Sequence, residues 1–425
     1  MQEPVSRRKF LQNGLTFVSL SMAIPTFLMR CAAADPVAAL AGGAPGGAPP
    51  QQGKTLVVIE MQGGNDGLNT VIPYTDLGYA KARPVIGIAE RDLVKISSTV
   101  GLHPSLKPLG DLYNQGKLAV MTGVGYPNPN RSHFHSMDIW QTGDTEVDIT
   151  TRTGWLARYF DADGHLKSDP LSGVTVGSAL PLALTADDTP VSVIGNLRTF
   201  GFQTTAGVDR KKTMDTLQAL YSQGTVASSP AEFVRNVGVD AYTSVAELKT
   251  AIKDYDVRSA NAGKYPLQNG LANGLQTIAK LITGGLTTRV FYLTIGGFDT
   301  HANQPNQHAQ LLEQMADALS AFYQDLSLQG KADDVTVMTF SEFGRRVHEN
   351  GSAGTDHGAA SVMFVLGGAV KGGVYGDYPS LEDLDDGDLR FHTDYRSVYA
   401  TLLEKWLGTP SSTVLGGTYP TLNFV

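Results

Sequence analysis

Hydrophobic residues in this chain form short β-branched runs, and each run lies beside a cluster of glycine and polar residues. Such runs predict buried strands, because a strand covered on both faces shows no alternation of apolar and polar positions. Glycine-rich segments mark the turns that bound them. The five clearest runs cover residues 55–60, 117–122, 288–295, 334–340 and 361–366.

Helical periodicity fills the spaces between these runs. Apolar residues recur at helical spacing over residues 311–326, between the third and fourth predicted strands. A strand, helix, strand unit implies a parallel pair with a right-handed crossover. A short helix is predicted over 109–113, and an amphipathic helix over 395–407 that ends at Gly408. Together these elements predict an α/β fold with a mostly parallel central sheet.

The middle of the chain, residues 154–273, has a weaker pattern. It alternates short apolar runs with Gly, Pro and Thr before a polar, helix-like stretch over 231–253. We interpret this region as an elaboration inserted into one α/β domain that covers residues 54–425. A length near 370 residues is enough for one large core or two closely joined cores.

The beginning of the chain predicts export. A twin arginine, Arg7-Arg8, precedes an uncharged segment over residues 10–29, which is typical of a signal for the twin-arginine pathway. We expect the signal to cover residues 1–34 and the protein to act in the periplasm or at the cell surface. A transmembrane anchor is the alternative, but serine, threonine and proline dilute the apolar run. Cys31, the only cysteine, is either a lipid-attachment site or is lost with the signal.

Composition narrows the classes of function. A Gly/Pro/Ala-rich linker over residues 35–53 has nothing to bury. The net charge is −8, and the basic signal makes the remainder more negative still, which argues against a nucleic-acid partner. If cleavage follows Ala34, the mature chain has no cysteine, which excludes disulfides and thiolate chemistry.

Candidate ligands follow the predicted strands, where the carboxyl ends of a parallel sheet form binding sites. Carboxylates mixed with imidazoles suit zinc, manganese or iron better than calcium, which stays an alternative. One or two divalent ions could assist hydrolysis of a phosphate or sulfate ester. Ser132 is placed like a helix N-cap, where an anion would bind well. The catalytic candidates are Ser132 and His133, and the candidate metal ligands are Asp66, Asp299, His301, Glu342, Asp356 and His357.

Several of these residues have a structural alternative. Asp66 lies in a sequence typical of an ordinary turn, and Ser132 is explained equally by capping alone. His133 is preferred over His135 only because it neighbours Ser132. Glu342 is as well explained by an ion pair with one of the two following arginines. Residues 382–388 are acidic without EF-hand spacing, which favours a solvated loop over calcium binding. The remaining histidines at 103, 165, 308 and 348 are interpreted as surface or helix residues.

The motifs taken in order resemble the bacterial domain-of-unknown-function 1501 family, and the resemblance covers most of the chain after residue 55. The matching segments are GGNDGLNTVIPY (63–74), NRSHFHSMDIWQTG (130–143), GWLARYFD (154–161), GGFDTHANQ (296–304), SEFGRR (341–346), GTDHG (354–358), LGGAVKGGVYGDYP (366–379) and TDYRSVYATLLEKWLG (393–408).

This resemblance implies an alkaline phosphatase-like or sulfatase-like three-layer α/β/α sandwich. It also implies a nucleophile at Ser132, one metal at Asp66, Asp356 and His357, and another at Asp299 and His301. The sequence departs from the superfamily in two ways. Asp299 and His301 are two residues apart rather than four, and the final histidine has only His392 as a candidate, so that Glu342 replaces it or the second metal is weak or absent.

The leading hypothesis is therefore an exported metal-dependent hydrolase of a small-molecule or glycan phosphate or sulfate ester. The alternative is a non-catalytic periplasmic or surface module of the same fold that binds a glycan or a protein. Aromatic residues of the middle region, Trp155, Tyr159 and Phe160, favour that alternative. An oxidoreductase is disfavoured, because no GxGxxG motif follows the first strand.

Overall fold

The computed structural model describes residues 53–147, 153–186, 191–195 and 264–425, together with positions 209, 212, 216, 248–253 and 255. The predicted signal with Cys31, the linker up to residue 52 and most of the helix-like stretch 231–253 lie outside the described residues. Within the described part, no helix combines the length and apolar character needed to cross a bilayer.

A mixed, mostly parallel sheet forms the centre of the molecule. Its strands are β1 (Thr55–Met61), β5 (Leu118–Gly125), β6 (Gly173–Val176), β7 (Ser192–Ile194), β8 (Val290–Ile295), β9 (Val335–Phe340), β10 (Ser361–Gly367), β11 (Gly373–Tyr375) and β14 (Thr393–Asp394). Their order across the sheet is β11-β5-β10-β9-β1-β8-β6-β7, and β14 pairs with β5. Two small antiparallel sheets contain β2 (Val71–Ile72), β3 (Val94–Lys95), β4 (Gly101–Leu102), β12 (Leu384–Asp385) and β13 (Asp388–Leu389).

Helices cover both faces of the central sheet. They are α1 (Gly67–Thr70), α2 (Leu77–Ala82), α3 (Lys107–Asn114), α4 (His133–Thr142), α5 (Trp155–Asp161), α6 (Gly164–Ser168), α7 (Gly270–Thr283), α8 (Gln304–Leu328), α9 (Tyr395–Thr401) and α10 (Ser411–Leu415). Short 3₁₀ turns lie at Glu90–Asp92, Pro104–Leu106, Leu182–Leu184 and Ala332–Asp334, and a π-helical turn at Leu402–Leu407 extends α9.

The two faces of β1 show how the layers form. Val57 and Ile59 pack in one core with α3, α7 and α8, whereas Leu56 and Val58 pack in a second core with α4, α5 and α9. Alternate side chains of a strand point to opposite faces, so a strand between two helical layers is apolar throughout. The predicted α/β sandwich is confirmed, and so are all five predicted strands.

One strand runs against the others. β1 pairs in parallel with both β8 and β9, so it lies between the two strands predicted as a parallel pair. β10 is antiparallel to both β9 and β5. The amino end of β10 therefore lies at the same sheet edge as the carboxyl ends of its neighbours, and residues before β10 meet residues that follow the parallel strands.

Candidate metal centre

Three histidines and one aspartate meet at this sheet edge, and we call them the histidine–aspartate cluster: His133, Asp299, His301 and His357. Asp299 Oδ1 lies 3.0 Å from His301 Nε2 and 3.1 Å from His357 Nε2. The two Nε2 atoms are 3.0 Å apart. His133 Nε2 lies 3.6 Å from Asp299 Oδ2. The structure thus brings together four of the predicted site residues.

The other ring nitrogen of each histidine has its own acceptor. His133 Nδ1 donates to Glu342 Oε1 at 2.9 Å, and His357 Nδ1 donates to the Arg131 carbonyl at 2.9 Å. His301 Nδ1 lies 3.4 Å from Asp356 Oδ1, a longer contact. Since carboxylates and carbonyls only accept, a neutral ring whose proton lies on Nδ1 has its Nε2 lone pair available to a metal ion. The Nε2 atoms of all three rings face Asp299, and that of His357 lies at hydrogen-bonding distance, 3.1 Å, from Asp299 Oδ1.

This donor set fits a metal ion. His133, Asp299 and His357 each offer a ligand atom, and these atoms lie within 4.8 Å of one another. Histidines that bind metals usually donate their second ring N–H to a carboxylate or carbonyl, as these do. Imidazole-rich sets suit zinc and other transition metals, whereas calcium prefers oxygen ligands.

Electrostatics keep Asp299 ionised and His357 neutral. Partial burial opposes ionisation of Asp299, but the hydrogen bond from Arg345 and the nearby charges lower its pKa to about 2. Burial is also the main influence on His357, and it lowers the pKa of that imidazole below its ordinary value. Both groups are therefore in their metal-binding protonation states at neutral pH.

Arg345 holds the loops around the cluster in place. Its Nη2 donates to Asp299 Oδ1 at 2.7 Å, and its Nε donates to the Gly64 carbonyl at 2.7 Å. Further bonds reach the carbonyls of Gly63, Phe298 and Thr355. The side chain is completely buried. The sequence pointed to Arg345 only as an ion-pair partner of Glu342, so its contact with Asp299 was missed.

Glu342 lies behind His133 rather than among the converging atoms. Its Oε1 accepts from Gly63 N at 2.8 Å as well as from His133, and its Oε2 accepts from Ser341 Oγ at 2.9 Å. The side chain is 2% exposed. Glu342 thus orients a histidine instead of pairing with an arginine, and Asp356 takes the corresponding place beside His301.

The structure does not bring Asp66 into the cluster. Asp66 forms a bidentate ion pair with Arg83, at 2.5 Å and 3.2 Å, and both side chains are fully buried. It also caps α1 by accepting from Asn69 N. Burial opposes ionisation, but the charge and hydrogen bonds of Arg83 dominate and lower the pKa of Asp66 to about 2.

Gln304 connects this ion pair to the cluster. Its Nε2 donates to Asp66 Oδ2. Its Oε1 accepts from Thr300 Oγ1 at 3.1 Å and from Thr355 Oγ1 at 2.6 Å. These threonines directly precede His301 and Asp356 in sequence, so the Asp66 pair supports the loops that carry these two candidate residues. No pattern in the sequence singled out Gln304.

Ser132 is the N-cap of α4, as predicted, but its hydroxyl makes no capping hydrogen bond. The residue is exposed, and its backbone N donates to Asn130 Oδ1 at 2.7 Å. The hydroxyl is therefore not used by the helix that it precedes. His133 follows it directly and points into the cluster.

The acidic run 382–388 is neither a solvated loop throughout nor a collection of free carboxylates. Arg131 donates to Asp388 at 2.8 Å and to Asp386 at 3.3 Å. Arg346 contacts the same two residues. These ion pairs attach the loop to the segment before Ser132. The Arg131 carbonyl in that segment accepts the hydrogen bond from His357 Nδ1.

Three further histidines whose side chains are described lie outside the cluster. His392 is exposed and donates its backbone N–H to Gly123 O, so it does not complete the ligand set. His308 lies in α8, which agrees with its interpretation as a surface or helix residue, whereas His103 is buried at the start of a 3₁₀ turn and is not a surface residue. His308 Nε2 lies 3.0 Å from Asn65 Oδ1, and burial lowers its pKa to about 4.

The comparisons with known proteins agree with the predicted resemblance. The family described as "Protein of unknown function (DUF1501)" matches residues 53–406, which is most of the chain. The predicted family is therefore confirmed. No curated protein matches the sequence.

Solved structures give weak but extended matches. A protein in the alkaline phosphatase superfamily from Vibrio parahaemolyticus aligns with TM-score 0.37 and 9% identity, over 85% of this chain and 69% of its own. The C-terminal periplasmic domain of EcEptC from Escherichia coli, in complex with Zn, gives 0.36 and 9%, over 84% and 83%. A Bacteroides thetaiotaomicron protein described with the metabolism of multiple glycosaminoglycans gives 0.39 and 12%, over 88% and 83%.

Proposed function

Since the chain belongs to the DUF1501 family, whose function the family description leaves open, we propose an activity from the site itself: metal-dependent hydrolysis of a phosphate or sulfate ester. The observation that carries this proposal is the histidine–aspartate cluster. Three imidazoles have their Nδ1 atoms engaged and their Nε2 atoms close to one ionised carboxylate. Such an arrangement favours one cation at a shared point.

The residues that would hold the ion are His133, Asp299, His301 and His357, with zinc or manganese as the favoured metals. When bound, a divalent ion there would polarise an ester oxygen and offset the negative charge of the substrate. Glu342 and Asp356 act through the histidines that they orient. In this proposal both are positioning residues, although the sequence suggested them as ligands.

Ser132 is the proposed nucleophile or substrate ligand. It is exposed, its hydroxyl is unused by the helix, and it lies at the amino end of α4 beside a cluster residue. The positive end of a ten-residue helix favours an anionic tetrahedral group. Arg345 cannot share this task, since its donors are already bound to Asp299 and to backbone carbonyls.

We also propose that the protein is exported in folded form by the twin-arginine pathway, and that it acts in the periplasm or at the cell surface on a small-molecule or glycan ester. The Arg7-Arg8 pair and the uncharged segment after it support the export signal. A cluster that needs a metal gives a physical reason for folding before export, because the ion can be loaded in the cytoplasm.

The proposal is tested by assaying purified protein with one aryl phosphate and one aryl sulfate, alongside its metal content. We expect Ser132→Ala to lower kcat at least about 100-fold while the metal content stays unchanged. His357→Ala should lose both metal and activity. Ser412→Ala, which changes an exposed serine in α10, is the matched control and should behave as the unmodified protein.

An alternative function is supported by one observation. Phe134, which follows His133 in the sequence, is 87% exposed. An exposed aromatic side chain offers a large apolar surface, on which we propose that a glycan ring would stack without being cleaved. Protein that contains metal and binds an oligosaccharide, yet hydrolyses neither ester, would contradict the hydrolase proposal and favour a binding module.

A further inference from the structure

We infer that this centre binds one metal ion and not two, because buried arginines hold the carboxylates that a second ion would need. The inference rests on the proposed metal centre, and it specifies how many ions that centre takes. It also assigns a role to two arginines: each supplies fixed positive charge next to a carboxylate that the resemblance had given to a metal.

Asp66 has no free ligand position. Arg83 contacts both of its oxygens, Asn69 N donates to Oδ1 at 3.2 Å, and Gln304 Nε2 donates to Oδ2. Both side chains of the ion pair are 0% exposed. An ion could reach Asp66 only by removing a buried guanidinium, which would leave that charge without a partner.

Arg83 is itself fixed by the surrounding backbone. Its Nε donates to the Val347 carbonyl at 2.6 Å, and its Nη2 donates to the Arg346 carbonyl at 2.9 Å. Since a guanidinium stays protonated in proteins, it cannot leave Asp66 by losing its charge. Arg83 therefore stays charged and bound to Asp66.

Both oxygens of Glu342 are likewise engaged. Oε1 accepts from the Gly63 N–H and from the His133 imidazole, and Oε2 accepts from the Ser341 hydroxyl. A metal ion on Oε1 would have to displace one of these two donors, and His133 would lose the contact that orients its ring. Glu342, the expected replacement for the missing final histidine, therefore orients His133 instead.

Arg345 excludes a second ion from the side of the cluster nearest Gly63 and Gly64. Its buried Nη2 lies 2.7 Å from Asp299 Oδ1, the oxygen that also lies close to His301 and His357. A second dication there would meet a fixed positive charge at short range. The Arg345 guanidinium thus supplies a positive charge beside Asp299 that does not depend on binding a second metal ion.

The remaining carboxylate near the cluster is Asp356, which is exposed and bonded to Asn350 Nδ2 at 3.1 Å. Within the described ranges of the chain, one group of three or more candidate ligands converges, and it is the one that contains His133, Asp299 and His357. The described residues therefore offer a complete ligand set for one ion.

The test is a count of bound ions. Protein stripped with a chelator is titrated with Co²⁺ and followed by its visible absorbance, and separately dialysed against Zn²⁺ before elemental analysis. We expect saturation at one ion per chain by both methods. Saturation at two tightly bound ions per chain would overturn the inference while leaving the proposed hydrolase intact.

Two variants show which residues bind the counted metal ion. His357→Ala should lose the single ion, whereas the isosteric Glu342→Gln should still bind one, with affinity lowered about 10- to 100-fold. If Glu342 held a second ion, Glu342→Gln would instead reduce the count from two to one. One ion without ester hydrolysis would support this inference and contradict the proposed function, and no bound ion at all would contradict both.

Discussion

The ring orientation of each histidine in the cluster is set by the partner of its Nδ1 atom. The sequence identified His301 and His357 as candidates and favoured His133 over His135, and the structure brings these three together. The sequence alone could not separate candidate ligands from orienting residues, because Asp299, Glu342 and Asp356 are all carboxylates near strand ends. What separates them is which oxygen meets which ring nitrogen, and that depends on tertiary packing.

The Arg83–Asp66 pair gives a stability prediction at the residue scale. Arg83→Met leaves a buried carboxylate without its partner, so we expect the free energy of unfolding at pH 7 to fall by about 3–5 kcal/mol. Urea denaturation of the variant measures this loss. Arg91→Met is the control: Arg91 is exposed and pairs with exposed Asp92, so its loss should change stability by less than about 0.5 kcal/mol.

The same pair predicts a pH dependence. The pKa of Asp66 is about 2 in the folded protein against an ordinary value of 3.8. A carboxyl group whose pKa is lower in the folded than in the unfolded state stabilises the folded state at pH values above the unfolded-state pKa. This contribution of about 2 kcal/mol is lost as the pH falls from about 4 towards 2. The difference in stability between the unmodified protein and Arg83→Met should therefore shrink over this window. A constant difference down to pH 2 would show that the pair is not responsible.

At the scale of elements, the turn after β1 packs closely against the backbone of the cluster. Gly63 has φ +117°, and a Cβ there would lie 2.3 Å from Asp299 N. Gly63→Ala should therefore lower the free energy of unfolding by more than backbone strain alone would. It should also displace Asp299 and weaken metal binding. We expect a loss of about 2–4 kcal/mol by urea denaturation, with reduced affinity in a Co²⁺ titration.

A second glycine isolates the effect of close approach. Gly330 also has positive φ, +68°, but a Cβ there meets nothing within 4 Å. Gly330→Ala should cost about 1 kcal/mol from left-handed backbone strain and leave metal affinity unchanged. Equal effects of the two substitutions would contradict the role given to the turn.

Much of the fold was predictable because buried parallel strands are apolar on both faces. The run at 55–60 predicted β1, and the runs at 288–295 and 334–340 predicted its two neighbours, but nothing local indicated that β1 lies between them. Nor did the run at 361–366 indicate that β10 is reversed. Strand direction is set by the connection and by pairing, and it is what places Asp356 and His357 at the edge reached by Asp299.

At the scale of the whole molecule, the proposed export gives a prediction. Replacing Arg7 and Arg8 by lysine should move the protein from the periplasmic to the cytoplasmic fraction, because the twin arginine is what the pathway recognises. Immunoblots of cell fractions measure the change. Arg30→Lys, a similar substitution outside the motif, should leave the distribution unaltered. Full export of the double variant would contradict the assignment of the pathway.

The central place of β1 has a consequence for the order of folding. Gly63, just after β1, donates to Glu342, 279 residues away, and the Thr55 carbonyl accepts from Trp406, 351 residues away. Contacts at such sequence separation form late and slowly, because a long loop must close first. A nascent chain that ends before β9 leaves one edge of β1 unpaired and open to aggregation. The centre of the sheet thus becomes fully paired only after the chain has been synthesised beyond β9.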